Sequence, residues 1–255
     1  MAAMSGAAIE IHDLAKSFTS RRGVTVEAIR RISLSVAAGE FLAIVGPSGC
    51  GKSTLLHLVA GLEQPSSGAV RIGAAEPREL VRQHRLGMAF QDSALLPWLS
   101  VQANLALPFK LAGRDVNRDR VQSLIELVGL AGFERARPSQ LSGGMRQRAA
   151  IARSLCLQPD VLLLDEPFGA LDAVTRRRLN IELERIWRDN AITTLLVTHS
   201  VEEALFLSDR VIVMQSPGAI AQETRIPFAR PRTPDLLRRE EFHRMADQIT
   251  VWLEH

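Results

Sequence analysis

Apolar and polar positions change rhythm several times along this chain, and each change predicts an element. Residues 9–11 (Ile-Glu-Ile) and 32–36 (Ile-Ser-Leu-Ser-Val) alternate, as half-exposed antiparallel strands do. Residues 41–45 are continuously apolar and stop at Gly46, the pattern of a buried strand in a parallel sheet. A helix is predicted over 52–60, ended by Gly61. Residues 68–73 read as a short strand between glycines, and 86–90 as another buried strand. From 97 to 157 the strand signal disappears. There Val121, Leu124, Ile125 and Val128 fall at helical spacing, and 145–157 also reads as helix. Strands resume at 161–165, 193–198 and 211–215, with helices near 173–189 and 201–207. A Pro- and Gly-rich stretch over 217–232 leads into a final amphipathic helix over 234–253.

Strand alternating with helix implies a layered α/β core. The expected organisation is one domain over 1–255. Its core takes 1–96 and 158–216, with an antiparallel β subdomain at the N-terminal end. Residues 97–157 form a helical subdomain, and 217–255 a C-terminal extension.

Composition narrows the function classes. Hydrophobic residues make up 46%, enough for a substantial core, while 31 Lys and Arg against 28 Asp and Glu leave a net charge of only +3. That balance disfavours a protein held to nucleic acid by charge. The two cysteines, Cys50 and Cys156, lack metal-ligand spacing and read as buried thiols in a reducing compartment. Residues 1–9 form a short small-residue tail without the features of a signal peptide. No apolar run approaches the roughly 20 residues of a spanning helix, so any membrane role is expected to come through a partner. Arg225, Arg230, Arg232, Arg238 and Arg239, followed by Glu240 and Glu241, read as a solvated helix face.

Lysine occurs only at 16, 52 and 110, which makes its position in a glycine loop informative. Gly46-Pro47-Ser48-Gly49-Cys50-Gly51-Lys52-Ser53 matches the phosphate-binding P-loop, between a predicted strand and a predicted helix. Gly46, Gly49 and Gly51 let the backbone turn its N–H groups toward phosphate oxygens. The helix N-terminus adds partial positive charge, and Lys52 supplies a full one. Ser53 offers a hydroxyl to Mg²⁺, and Thr54 can hydrogen-bond a neighbouring phosphate. Residues 161–164 then lead into Asp165 and Glu166. Asp165 is placed to hold Mg²⁺ through water. Glu166 is placed to orient and deprotonate a water. The expected ligands are ATP and Mg²⁺; a GTPase would carry Asn-Lys-X-Asp, and neither Lys16 nor Lys110 stands in one.

Leu141-Ser142-Gly143-Gly144-Met145-Arg146-Gln147-Arg148 is the sharpest signal. Ser142 is a good helix N-cap, and the two glycines expose first-turn N–H groups. The residues alone allow an ordinary capped helix, or a second anion site facing a nucleotide held by another copy.

At this point the chain resembles an ABC-transporter ATPase subunit over nearly its whole length, with Leu141 to Gly144 as the family signature. The resemblance implies that Ser142, Gly143 and Gly144 bind the γ phosphate across a head-to-tail dimer. It makes Gln91 the Q-loop glutamine, touching Mg²⁺ or the attacking water. Gly169-Ala170-Leu171-Asp172 becomes the D-loop, with Asp172 near the nucleotide. His199 becomes the H-loop residue on the γ phosphate, and Phe18 the aromatic that stacks on adenine. Met145, Gly169 and Ser200 stand where the family more often has Gln, Ser and Asp. Segments 90–98, 166–172 and 201–205 look most like the nitrate, sulfonate and taurine importer branch. The implied partners are a second copy, an integral membrane permease and, indirectly, a periplasmic solute-binding protein. The implied place is the cytoplasmic face of the inner membrane. A soluble ABC-type ATPase acting on ribosomes or DNA is the rival; it usually joins two cassettes or carries long coiled coils. Leu95, Leu96, Pro97, Trp98 and Leu99 read either as core packing or as a groove for a permease helix.

Overall fold

Two sheets sort the strands by their patterning. In the computed structural model, residues 6–20, 23–169 and 171–254 are described. Most of the expected N-terminal tail, and Ala170 of the D-loop segment, lie outside the described residues. The alternating segments form an antiparallel sheet of β1 (Ile9–Thr19), β2 (Thr25–Val36) and β4 (Ser67–Ile72), in the order β2-β1-β4. Ile9, Ile11 and Leu14 are buried on one face, with Ile9 opposite Val36.

The continuous apolar runs form the second sheet. It contains β3 (Phe41–Val45), β5 (Leu86–Ala89), β6 (Val161–Asp165), β7 (Thr193–Thr198), β8 (Arg210–Gln215) and β9 (Ala219–Arg225). The order is β5-β6-β7-β3-β8-β9, parallel except for β9. Every residue of β3, β6 and β7 is buried because both faces are covered. Period two divides their side chains between two cores. Phe41, Ala43, Val45, Leu162 and Leu164 pack toward the helical block. Leu42, Ile44 and Leu163 pack toward α1 (Lys52–Val59) and the antiparallel sheet.

The helical block follows β5, after a short α2 (Pro77–Arg82) that the pattern did not predict. It holds α3 (Val101–Leu111), α4 (Arg118–Leu127) and α5 (Gly143–Ser154). Buried Asn104 on α3 pins the preceding loop: its Oδ1 accepts from Leu96 N at 2.8 Å, and its Nδ2 donates to Leu99 O at 3.2 Å. Leu95 enters the core, whereas Trp98 is 66% exposed. The two readings of this stretch therefore divide between its residues. No helix among the described residues is long and apolar enough to cross a membrane.

After β6 come α6 (Ala173–Asn190) and, beyond β7, α7 (Val201–Leu207). The chain closes with a 3-10 turn (Pro234–Arg238) and α8 (Glu240–Glu254). The arginines here depart from the expected solvated face. Arg225, Arg238 and Arg239 are exposed, but Arg232 is buried, and burial together with Arg230 pulls its guanidinium down to about 10. Its Nη1 donates to Leu205 O, Phe206 O and Ser208 O at 3.0, 3.1 and 2.6 Å. Leu205 and Phe206 lie in the last turn of α7 and Ser208 is its C-cap, so these carbonyls need partners from outside the helix. Arg230 donates through Nε to Asp209 at 3.0 Å and stacks 4.0 Å from the Trp187 ring centroid. Charge runs in sequence do not reveal that a turn of arginines has been folded inward to cap a helix.

Candidate functional site

The strand order decides which motifs meet. Gly46 follows β3, Asp165 ends β6, His199 follows β7 and Gln91 follows β5. All four strands are parallel and run consecutively as β5-β6-β7-β3 in the sheet. Their C-terminal ends therefore share one edge, where open α/β sheets bind ligands.

The P-loop is held by contacts that only glycine permits. Gly51 has φ +106, and a Cβ there would lie 2.4 Å from Ala28 O. At Gly46 an added Cβ would stand 2.4 Å from Met214 O and 2.7 Å from Cys50 Sγ, which fixes Cys50 as a buried packing residue. Pro47, Ser48 and Gly49 form the exposed rim of the loop. Lys52 is buried, and its Nζ donates to Gly46 O at 2.8 Å and Pro47 O at 3.0 Å. The ammonium thus lies across the loop mouth. Gly51 caps α1 without a side-chain hydrogen bond, so no side chain competes there for an anion at the first turn. Thr54 lies half-buried in that turn.

Ser53 Oγ donates to Asp165 Oδ1 at 3.0 Å, and His57 Nε2 lies 3.8 Å from the other oxygen. Burial pushes the Asp165 carboxyl up, and the Ser53 hydroxyl and His57 pull it back. A hydroxyl and a carboxylate at hydrogen-bonding distance form an oxygen donor pair suited to Mg²⁺. The described residues contain no cluster of three His, Cys, Asp or Glu side chains able to hold a metal by themselves. Gln91 lies exposed in the loop after β5.

Glu166 stands next, with φ +43, in the left-handed region that side chains other than glycine rarely adopt. Its N–H donates to Val197 O at 2.9 Å, tying it to β7. Its Oε2 lies 3.2 Å from His199 Nδ1. The D-loop passes close by: a Cβ on Gly169 would lie 3.3 Å from Glu166 Oε2 and 3.4 Å from His199 Cε1. Ser200 takes the helix-capping role open to Asp at that position. Its Oγ accepts from Glu203 N at 3.3 Å, and its N–H donates to Thr198 Oγ1 at 3.0 Å.

The signature residues stand elsewhere in the protomer. Ser142 Oγ caps α5 by accepting from Met145 N at 3.3 Å. Gly143 and Gly144 lie against Leu171 and Thr175, at the D-loop and the start of α6. Asp172 caps α6, accepting from Val174 and Thr175 amides at 3.1 and 3.0 Å; these amides hold its carboxyl below the usual range. Phe18 is exposed on β1, opposite Val26, with Lys16 Nζ 4.7 Å from its ring centroid.

Sequence reading missed the residues that brace these loops. Gln147 on α5 donates to Phe90 O at 3.1 Å, and Arg153 to Ala94 O at 2.7 Å. The signature helix therefore grips both sides of the Gln91 loop. Their positions one turn and more past Gly144 were visible, but nothing local told which loop they would reach.

Comparison with known proteins agrees with this geometry. The ABC transporter family description matches residues 29–169. The nitrate import ATP-binding protein NrtD of Synechococcus elongatus is 48% identical, over 85% of this chain and 80% of its own length. The aliphatic sulfonates import ATP-binding protein SsuB 1 of Rhodococcus jostii is 49% identical, over 88% and 83%. Among solved structures, a dimeric ATP-binding cassette in a post-hydrolysis state with ADP and Pi superposes with a TM-score of 0.76. It is 29% identical and covers 87% of this chain and 100% of its own. With the P-loop, the Asp165–Glu166 pair and the signature helix in their expected elements, the chain belongs to the ABC transporter family as an ATP-binding, ATP-hydrolysing cassette.

Proposed function

We propose that this chain powers an importer for nitrate, a sulfonate, taurine or a related small solute. The observation that carries the reading is the shared edge where the P-loop, Asp165, Glu166 and His199 meet. The importer names of the relatives favour transport over the soluble rival acting on ribosomes or DNA.

In this reading the amides of Gly46, Pro47, Ser48, Gly49, Cys50 and Gly51 wrap the phosphates. Lys52 leaves its loop carbonyls to neutralise them, and Thr54 adds a hydroxyl. Phe18 stacks on adenine. Ser53, Gln91 and Asp165 hold Mg²⁺, which supplies neutralising charge to the phosphate oxygens when bound. Glu166 takes a proton from water, while His199 orients that carboxylate and contacts the γ phosphate. Ser142, Gly143 and Gly144 serve the nucleotide of a second copy, head to tail, with Asp172 at the same seam. A dimeric solved relative supports that pairing.

Binding is then the closing force. Two cassettes bring phosphate-binding amides and Lys52 together, and the triphosphate offsets that charge. Loss of phosphate weakens the bridge, so the pair opens. Trp98, outside the core beside the Gln91 loop, offers the membrane permease a contact. The working place is the cytoplasmic face of the inner membrane, with a periplasmic solute-binding protein delivering cargo on the far side. Within the chain, 1–96 with 158–216 act as the nucleotide core, 97–157 as the coupling subdomain and 217–255 as a brace.

The test is reconstitution of the full chain with its permease in liposomes. Uptake of labelled nitrate, sulfonate or taurine should require MgATP and release phosphate. Phosphate release without any permease association would favour a soluble ATPase.

A further inference from the structure

Helices α6 and α7 flank a half-open cavity of about 60 Å³ lined by Arg176, Asn180, Ser200 and Glu203, with Arg177 and Glu202 on its exposed side. Arg177 and Glu202 pair at 3.0 Å between exposed side chains. Three of the lining residues carry a buried polar atom without a protein hydrogen-bond partner: Arg176 Nε, Asn180 Oδ1 and Glu203 Oε1. Such orphans are uncommon in a folded interior, and three on residues that line one cavity point to ordered water there. The set is one donor and two acceptors. Water can take both parts, accepting from the Arg176 N–H and donating to the two oxygens. One water needs about 10–15 Å³ of such space, so the cavity is roomy enough.

The same residues reach the two loops beside the Glu166 carboxylate. Arg176 Nη2 donates to Leu171 O at 3.0 Å and Gly169 O at 3.4 Å, within the D-loop. The second Glu203 oxygen accepts from the Thr198 hydroxyl, which itself accepts from Ser200 N at 3.0 Å. Thr198 and Ser200 flank His199, so both of its neighbours are tied to Glu203.

We propose that ordered water in this cavity bridges Arg176, Asn180 and Glu203, and that the bridge positions the His199 loop against the D-loop. Asn180, Arg176 and Glu203 are positioning residues, acting through His199 and Gly169 on the geometry around Glu166. The positioning half rests on the reading of Glu166 and His199 as the hydrolytic pair; the water half does not.

The test uses the full chain. A high-resolution crystal structure should show ordered water hydrogen-bonded to Arg176 Nε, Asn180 Oδ1 and Glu203 Oε1, and Asn180→Leu should displace the molecule at that position. In MgATP turnover, Asn180→Leu should lower kcat about tenfold, the worth of one good hydrogen bond. KM for ATP should stay within about twofold, because no nucleotide contact is removed. Asn180→Ser keeps an acceptor and leaves room for water, so it should recover most of the rate. Glu203→Gln provides the same kcat readout should Asn180→Leu fail to fold. A dry cavity in the wild-type crystal overturns the proposal. So does wild-type turnover in both variants, or a loss that Asn180→Ser does not rescue. Normal turnover by Glu166→Gln would instead sink the hydrolytic reading, and it would leave the density result standing.

Discussion

His199 and Glu166 stand 33 residues apart in the chain, yet Nδ1 of one lies 3.2 Å from Oε2 of the other. The pairing depends on β6 and β7 being neighbours, with Asp165 opposite Val197 in the ladder. Glu166 adopts φ +43 to turn its carboxylate out of the strand, and its N–H bond to Val197 O holds that conformation. Backbone strain of this kind, retained beside a histidine, fits a base rather than a strand terminus.

Glu166→Gln should therefore retain ATP binding and lose turnover by about a hundredfold or more, the usual worth of a general base. The variant should accumulate a closed, ATP-loaded dimer, read by light scattering with and without MgATP. Turnover at the wild-type rate would remove Glu166 from its assigned role.

Ser142→Arg places a long cation where the exposed α5 N-terminus is expected to meet the second copy. ATP-driven dimerisation in the Glu166→Gln background should vanish. Binding of a fluorescent ATP analogue to one protomer should change less than about threefold, since Lys52 and Ser53 are untouched. Equal loss of both would contradict the trans arrangement.

Trp98→Asp should weaken assembly with the permease by about tenfold or more, the cost of one lost aromatic anchor. ATP affinity should hold, because the indole is outside the core while Asn104 and Leu95 keep the loop in place. Pull-down from detergent-solubilised membranes, alongside nucleotide titration, separates the two effects.

Arg232→Met should destabilise the chain by about 3 kcal/mol, because buried carbonyls of α7 lose their donor. Arg238→Met, on an exposed side chain, should change stability by no more than about 0.5 kcal/mol. Urea unfolding of the two variants distinguishes a buried brace from a solvated charge run.

Glu203 gives a pH dependence of stability. Burial pushes its carboxyl up to about 7 from 4.5, with Glu166 adding in the same direction. The Thr198 hydroxyl and Arg176 pull the other way, and Arg177 and Glu202 line the same cavity as a mutual pair. A folded value above the unfolded one means that the folded state holds the proton longer. The resulting stability is fully present below about 4.5 and is lost as pH rises through about 7. Unfolding of wild type against Glu203→Gln, from about pH 5 to about pH 8, should show wild type losing ground as pH rises. A constant difference would mean that Glu203 titrates as it does in the unfolded chain.

The phosphate-binding segment was legible because its signal is local. A glycine loop between strand and helix needs no distant contact to be recognised. An apolar strand ending in two carboxylates takes its meaning from following that loop, and Ser142 ahead of two glycines took its meaning from the family resemblance, since alone it allows an ordinary capped helix. Period-two alternation likewise separated β1 and β2 from the fully buried β3 and β6. Other features were beyond local reading. Arg232 stands in a run that looks solvated, and only the fold turns it onto the α7 carbonyls. Glu203 reads as one more acid in a helix, until β7 and α6 close over it.

Local spacing by itself thus determined most elements and the glycine loop with Lys52 and Ser53, since both follow from backbone geometry over a few residues; Gln91, His199, Phe18 and Asp172 entered only through the family resemblance. The tertiary structure decided which of those residues meet. The order β5-β6-β7-β3 is set by long crossovers, and only that order carries Gln91, Glu166, His199 and Lys52 to one edge of the sheet. Partners set by crossovers are written in no single segment, because each crossover gains its stability from packing spread over the whole core.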